Sequence, residues 1–303
     1  MNDVTFVIKT FERKNRLIKL LKSIEKYYAN IPIIIVDDSK KNYKNYICNR
    51  FKNLKIKYIV EKYDVGLSKG RNILIKNVNT DYFLLCDDDF EFDERTNLET
   101  AKNYLVNYDL DIVGGNVYNR ISFDSLYSML WILKKPQRIK KVIKNEEFIS
   151  IYNGTFNIDN NKIELKVDRN EKKYSDKDVY KTDICSNFFL AKTKSILKIG
   201  GWTPEILKVG EHEFFFLKAK QNNLKVMYSP KFGVRHYPKK TFKYMKFRIR
   251  AEAYFKEACK LCNYELFRVF DSNENKVIYE EESTVDDMIS ETVLSFIFNN
   301  FFR

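Results

Sequence analysis

The chain of 303 residues holds 54 Lys and Arg against 41 Asp and Glu, a formal charge of +13 with its two His neutral. A hydrophobic content of 44% and an aromatic content of 15%, with only nine Gly and five Pro, exclude a disordered or linker-dominated chain and predict one or two packed domains. The basic balance calls for an anionic partner, whether nucleic acid, a membrane surface or a phosphorylated substrate, and does not choose among them.

Val4-Thr-Phe-Val-Ile-Lys9 is β-branched and apolar and reads as a first strand. No basic-then-apolar leader precedes it, and no run reaches the length of a membrane span, so the expected setting is cytoplasmic. Residues 14–28 put Leu17, Leu20, Leu21, Ile24 and Tyr28 on one helical face. Ile31 to Val36 is a second buried strand ending in Asp37-Asp38-Ser39, and Ile56, Tyr58 and Val60 suggest a third nearer an edge. Gly66-Leu-Ser-Lys-Gly-Arg-Asn72 opens a short helix. The next strand, Asp81-Tyr-Phe-Leu-Leu-Cys86, breaks off into Asp87, Asp88 and Asp89. Strand alternating with helix predicts a parallel, Rossmann-like sheet.

In such a sheet the carboxyl ends of the strands converge on one crevice. Here those ends carry Thr10, Glu12 and Arg13, then Asp37 and Asp38, then the Asp triplet. Adjacent carboxylates repel one another, and burial adds to the cost unless a cation or hydrogen bonds compensate. A divalent ion carrying a diphosphate satisfies that requirement, since carboxylate and phosphate oxygens share its shell. The plainer reading of the triplet is an acidic turn capping a helix with Asp93, Glu94 and Thr96. Arg71, with Gly66 and Gly70 at a helix start, suits a diphosphate, although the glycines alone fit an ordinary turn.

Residues 94–108 read as an amphipathic helix leading to a strand at Asp111–Gly115. The Lys-, Asn- and Asp-rich residues 119–181 read as antiparallel hairpins beside the sheet, serving acceptor recognition or forming a variable insertion. Cys185–Ala191 returns to a buried strand, Gly200-Gly201-Trp202 is a loop, and Gly210-Glu211-His212-Glu213 leads into an aromatic helix. His236 follows strand-like residues. Residues 242–261 carry an apolar stripe beside Lys243, Lys246 and Arg250, which fits a membrane-surface helix or one packed on the domain. The tail turns acidic and ends in apolar Val293–Phe298, an interface or second anchor. The five cysteines are odd in number and scattered, which predicts reduced thiols; Cys259 and Cys262 lack the second pair a zinc site needs.

Lys9-Thr-Phe-Glu-Arg13, Val36-Asp-Asp-Ser39, Gly66–Asn72, Asp87-Asp-Asp89, Asn187-Phe-Phe-Leu-Ala191 and Gly210-Glu-His-Glu-Phe-Phe215 together resemble the GT-A glycosyltransferases of family two, within them the β-1,4-N-acetylgalactosaminyltransferase-like branch. The resemblance runs from Val4 to about His236. It implies a GT-A fold, an α/β domain with a mostly parallel central sheet, a smaller antiparallel hairpin region and a helical C-terminal extension. Its donor half would span 1–118, its acceptor half 119–240 and the extension 241–303. It implies that Thr10, Glu12, Arg13, Asp38, Arg71, Asp87 and Asp88 surround the nucleotide, and that Asp89, Asp87 and His236 hold Mn²⁺ or Mg²⁺. Trp202, His212 and Asn187 fall on the acceptor side. The activity implied is inverting transfer from a UDP-sugar to a glycan or lipid-linked glycan in polysaccharide biosynthesis, with no nucleic-acid partner and peripheral membrane contact as an option. His212 and Phe214 depart from the family's usual Glu-Asp pair, which leaves the general base open between Glu211 and Glu213. Glu213 is preferred because it would sit in the first helical turn among packed aromatics, where the dipole favours its ionised form. A nucleotidyltransferase and a basic nucleic-acid- or membrane-binding protein are the alternatives.

Overall fold

The computed structural model describes residues 2–120, 147–150, 152–168, 174–207, 209–237 and 251–282. Strand β1 (Val4–Thr10) is buried along its whole length, as is β2 (Ile33–Asp37). The two pair in parallel, Thr10 opposite Asp37, and β4 (Tyr82–Asp87) lies on the other side of β1 with Lys9 opposite Asp87. These registers bring Thr10, Asp37 and Asp87 to one end of the sheet.

Helix α1 (Lys14–Tyr28) covers one face through Leu17, Leu20, Leu21 and Ile24, over the span its periodicity predicts. Helix α2 (Lys44–Arg50) buries only Ile47 and leaves no readable stripe. Strand β3 (Ile56–Val60) sits at the sheet's edge, with α3 (Leu67–Lys76) between it and β4 in sequence. After the two-residue β5 (Phe90–Glu91), α4 (Leu98–Asn107) leads to β6 (Ile112–Arg120) and β7 (Glu147–Ser150).

The second half inserts β11 (Phe189–Lys192) antiparallel between β4 and β6. Helix α5 (Thr193–Lys198) follows, then α6 (Glu211–Gln221) and the long β12 (Val226–His236), which runs parallel to β6 and pairs with β10 (Tyr180–Lys181). The path through the main sheet is β10-β12-β6-β11-β4-β1-β2-β3, so the sheet is mixed, with a parallel block of β4, β1, β2 and β3.

A second sheet of four strands contains the expected hairpin, β8 (Asn153–Asp159) and β9 (Lys162–Asp168). The extension, expected to be helical, supplies one helix, α7 (Ala251–Leu261), followed by strands β13 (Leu266–Asp271) and β14 (Lys276–Glu282). β13 pairs in parallel with β9, completing the order β14-β13-β9-β8. In Leu266-Phe-Arg-Val-Phe-Asp271 the buried residues alternate, a period-2 signal that the reading of a helical tail passes over. Lys243, Lys246, Arg250 and Val293–Phe298, invoked for membrane contact, lie outside the described residues.

Candidate active site

The end of β1 begins the site. Lys9 is buried and ion-paired with buried Asp38, and burial lowers the Lys9 pKa as it raises that of Asp38, each opposed by the partner's charge. A Cβ on Gly70 would lie 2.3 Å from Lys9 Cε, so a larger residue there would displace the Lys9 side chain from its present path to Asp38. Asp37 has a structural role. Its carboxylate accepts from the Tyr58 hydroxyl at 2.7 Å, from Ser39 N–H at 2.9 Å and from Tyr43 N–H at 3.1 Å, shaping the turn after β2. Glu12, at φ +56°, ties the two loops together: its N–H donates to Ser39 Oγ at 2.7 Å and its carboxylate accepts from Lys40 N–H at 2.9 Å.

The Asp triplet is divided between two cations. Arg13 meets Asp88 and Asp89 at 2.6 Å each, and the Thr10 hydroxyl donates to Asp88 at 2.7 Å. Burial pushes Asp88 up to about 6 despite Arg13, whereas Arg13 and His236 together outweigh burial at Asp89 and hold its carboxyl below the usual range. Asp87 lies 3.5 Å from Arg71. Arg71 is 2% exposed, lies over Trp202 with 5.5 Å to the ring centroid, and contacts Glu211 of α6 at 3.2 Å. A single buried guanidinium therefore spans the gap between the end of β4 and the start of α6.

His236, at the end of β12, places Nε2 3.3 Å from Asp89 Oδ2. Its Nδ1 meets Asn119 Oδ1 at 2.7 Å, so Nδ1–H donates to Asn119 and the ring is held with Nε2 toward the carboxylate. An imidazole nitrogen and a carboxylate oxygen at this spacing suit two ligands of one divalent ion once Nε2 carries no proton, and the rest of its shell would come from diphosphate and water. Asp87, expected to join them, has Oδ1 3.5 Å from Arg71, while the charges of Asp89 and His236 also bear on it. Among the described residues no group of three or more His, Cys, Asp or Glu is gathered to hold a metal ion; Asp89 and His236 are a pair that the geometry brings side by side.

Helix α6 starts after Gly210, whose φ of +84° is left-handed and whose Cβ would press on Phe255, Phe214 and Ala258 at 3.2 to 3.4 Å. Its first turn carries Glu211, His212 and Glu213, all buried. Glu213 Oε1 accepts from the Tyr152 hydroxyl at 2.9 Å. Burial, with Glu211 beside it, pushes Glu213 up to about 7, so the expectation that the helix dipole would keep it readily ionised is corrected: desolvation outweighs the dipole. Burial and the Arg71 charge press His212 down to about 3, leaving it neutral. Trp202 has no exposed surface, stacks on Phe215 at 4.2 Å and underlies Arg71, so it supports the site and offers no face to an acceptor. Asn187 is half-buried, and its shielded Oδ1 has no hydrogen-bond partner among the described residues.

The family model for glycosyl transferase family 2 matches residues 5–162. The chain belongs to this family. Among curated members, mouse β-1,4 N-acetylgalactosaminyltransferase 2 is 39% identical over 127 residues, covering 42% of this chain and 24% of that protein. Mouse β-1,4 N-acetylgalactosaminyltransferase 1 is 30% identical over 212 residues, covering 70% and 35%. The chain thus spans about a quarter to a third of the length of these relatives. The GT-A fold of family 2 is shared with S. aureus TarS 1–349 in complex with UDP-GlcNAc, at a TM-score of 0.58 and 14% identity over 86% of this chain and 65% of that one. It is shared too with GalNAc-T7 bound to UDP, GalNAc and Mn²⁺, at 0.55 and 16% over 79% and 44%. In this family 2 protein, Lys9, Tyr58, Asn119 and Tyr152 are the site neighbours that sequence reading misses. Lys9 carries a usable signal, a charge inside a buried strand; Asn119 and Tyr152 come from distant segments and carry none.

Proposed function

We propose that this family 2 protein is a metal-dependent inverting glycosyltransferase that moves a hexose or N-acetylhexosamine from a UDP-sugar to a hydroxyl of a glycan or lipid-linked glycan. The observation that carries the reading is Arg71, buried and in contact with both Asp87 and Glu211, which sets a cation between the Asp triplet and a pair of buried glutamates. Thr10, Glu12, Arg13 and Asp38 would border the nucleoside, with Asp87 and Asp88 nearer the ribose and sugar. Asp89 and His236 would hold Mn²⁺ or Mg²⁺, which supplies positive charge to the departing diphosphate. Arg71 adds a fixed charge on the same side. Glu213, poised near neutrality, takes the proton from the acceptor hydroxyl as it attacks the anomeric carbon. Glu211, engaged by Arg71, orients that cation and borders the sugar.

The donor would lie in residues 1–118 and the acceptor against 119–240, with His212 and Asn187 on the acceptor side. Among the described residues no helix is long and apolar enough to cross a membrane, and membrane contact in this reading is peripheral. The nucleotidyltransferase alternative is disfavoured by Thr10-Phe-Glu-Arg13 where such enzymes carry a Gly-rich loop. Calorimetric titration of the purified protein with UDP-GlcNAc, UDP-GalNAc and UDP-glucose, with and without Mn²⁺, tests the proposal. Metal-dependent binding and slow hydrolysis of at least one donor are expected; no binding of any sugar nucleotide overturns it.

A further inference from the structure

Tyr152 precedes β8 and reaches the active site from the second sheet. Its hydroxyl donates to Glu213 Oε1 at 2.9 Å, and its ring lies 5.7 Å from that of His212 at a tilt of 38°. Two residues on, Gly154 is tied to the segment before β11: its N–H donates to Thr182 Oγ1 at 3.0 Å and its carbonyl accepts from Asp183 N–H at 2.8 Å. A Cβ there would lie 2.6 Å from the Lys166 carbonyl, so the approach of β8 to β9 at this point requires glycine. The helix bearing Glu213 rests on the same sheet. Phe214, the next residue, packs at 5.7 Å on Phe267 of β13, at 5.8 Å on Phe255 of α7 and at 6.2 Å on Tyr264. Lys220 at the far end of α6 bonds the Phe156 carbonyl of β8 at 2.7 Å.

We propose that Tyr152 is a positioning residue for Glu213, and that the second sheet, closed by the 266–282 hairpin, is the mount that keeps hydroxyl and carboxylate in register. The proposal rests on the reading of Glu213 as base. Three side chains bear on that carboxylate: Tyr152 from the second sheet, Glu211 from its own helix, and Arg71 from α3; neutral His212 is its sequence neighbour. Only the Tyr152 hydroxyl bonds one of its oxygens from outside the helix among these. Donation to Oε1 favours the ionised form and fixes the plane in which the carboxylate meets the acceptor proton.

The test is Tyr152→Phe in the full chain, compared with Glu213→Gln, using whichever of UDP-GlcNAc or UDP-GalNAc the protein turns over. The ring is retained, and binding of UDP with Mn²⁺ certifies the fold. The expected result is a kcat about tenfold lower near pH 6 with the donor KM unchanged. The acidic limb of the pH profile should move upward, so that the deficit shrinks as pH rises. Wild-type kcat and pH profile in Tyr152→Phe, alongside an inactive Glu213→Gln, would overturn the positioning role and leave the base reading intact. A uniform loss at all pH values with weakened UDP binding would make Tyr152 a structural tether and also overturn it. Full activity in Glu213→Gln would remove the base reading and this proposal with it.

Discussion

The two ends of the site hold their carboxylates by different means. At the ends of β1 and β4, Asp88 and Asp89 are paired with Arg13, Asp87 with Arg71 and Asp38 with Lys9, so each acid has a cation within reach. At the start of α6, Glu211 takes the Arg71 contact at 3.2 Å, while Glu213 meets a tyrosine hydroxyl, with Glu211 as a like-charged neighbour and only a weaker influence from Arg71. The consequence shows in Asp89, held ionised, and Glu213, poised at about 7. In the proposed reading, the region that presents negative charge to a cation is built from ion pairs, although burial still pushes Asp88 up to about 6. The region that would accept and release a proton is built more from burial, which leaves both protonation states accessible.

Asp89→Asn strikes the first region hardest. It removes a charge and almost no volume while Arg13 keeps Asp88, so turnover should fall by about a thousandfold or more with the fold retained. Steady-state kinetics across a Mn²⁺ titration, with circular dichroism as control, checks this; near-normal rates at low metal would reduce the triplet to an acidic turn. Glu213→Gln strikes the second region and should cost about a hundredfold or more in sugar transfer while UDP affinity stays within a few-fold. If Glu211→Gln is dead and Glu213→Gln is normal, the roles of the two glutamates are exchanged.

The contrast can be sharpened by pH. A base near 7 makes kcat fall as pH drops below about 7, with the limb absent in Glu213→Gln. Stability runs the other way. Glu213 is an acid whose folded pKa lies above its ordinary value of 4.5, so between about 4.5 and 7 the folded state binds more protons than the unfolded one. Its contribution to stability is therefore lost as pH rises through that window, by an amount on the order of 3 kcal/mol. Urea melts at pH 5 and pH 8 should show this dependence in the wild type and a weaker one in Glu213→Gln; equal dependence would place the titration elsewhere. The smallest effect is expected at Gly210. Gly210→Ala forces a side chain into φ +84° against Phe255 and Phe214, which should lower stability by about 1–2 kcal/mol in a thermal melt and disturb transfer more than UDP binding.

The end of the site at β1, β2 and β4 was legible because it is built from short-range patterns. Buried strands announce themselves as apolar runs, parallel pairing sends their carboxyl ends to one edge, and Thr10, Arg13, Asp38 and Asp87–Asp89 each stand at the end of such a run. Glu211 and Glu213 were candidates because the Gly210-Glu-His-Glu segment resembles the family's catalytic-carboxylate segment, and helix position served only to prefer Glu213. What the sequence could not rank was their surroundings. The bond from Tyr152 to Glu213 joins residues 61 positions apart, and β13 meets β9 with Leu266 opposite Lys162. Local propensity reports how a segment folds and which face is apolar; it carries no record of which distant side chain arrives opposite a given carboxylate. Desolvation depends on that arrival, so the protonation of Glu213, the burial of Trp202 beneath Arg71 and the contact of Arg71 with both Asp87 and Glu211 were decided only when the two sheets packed around α6.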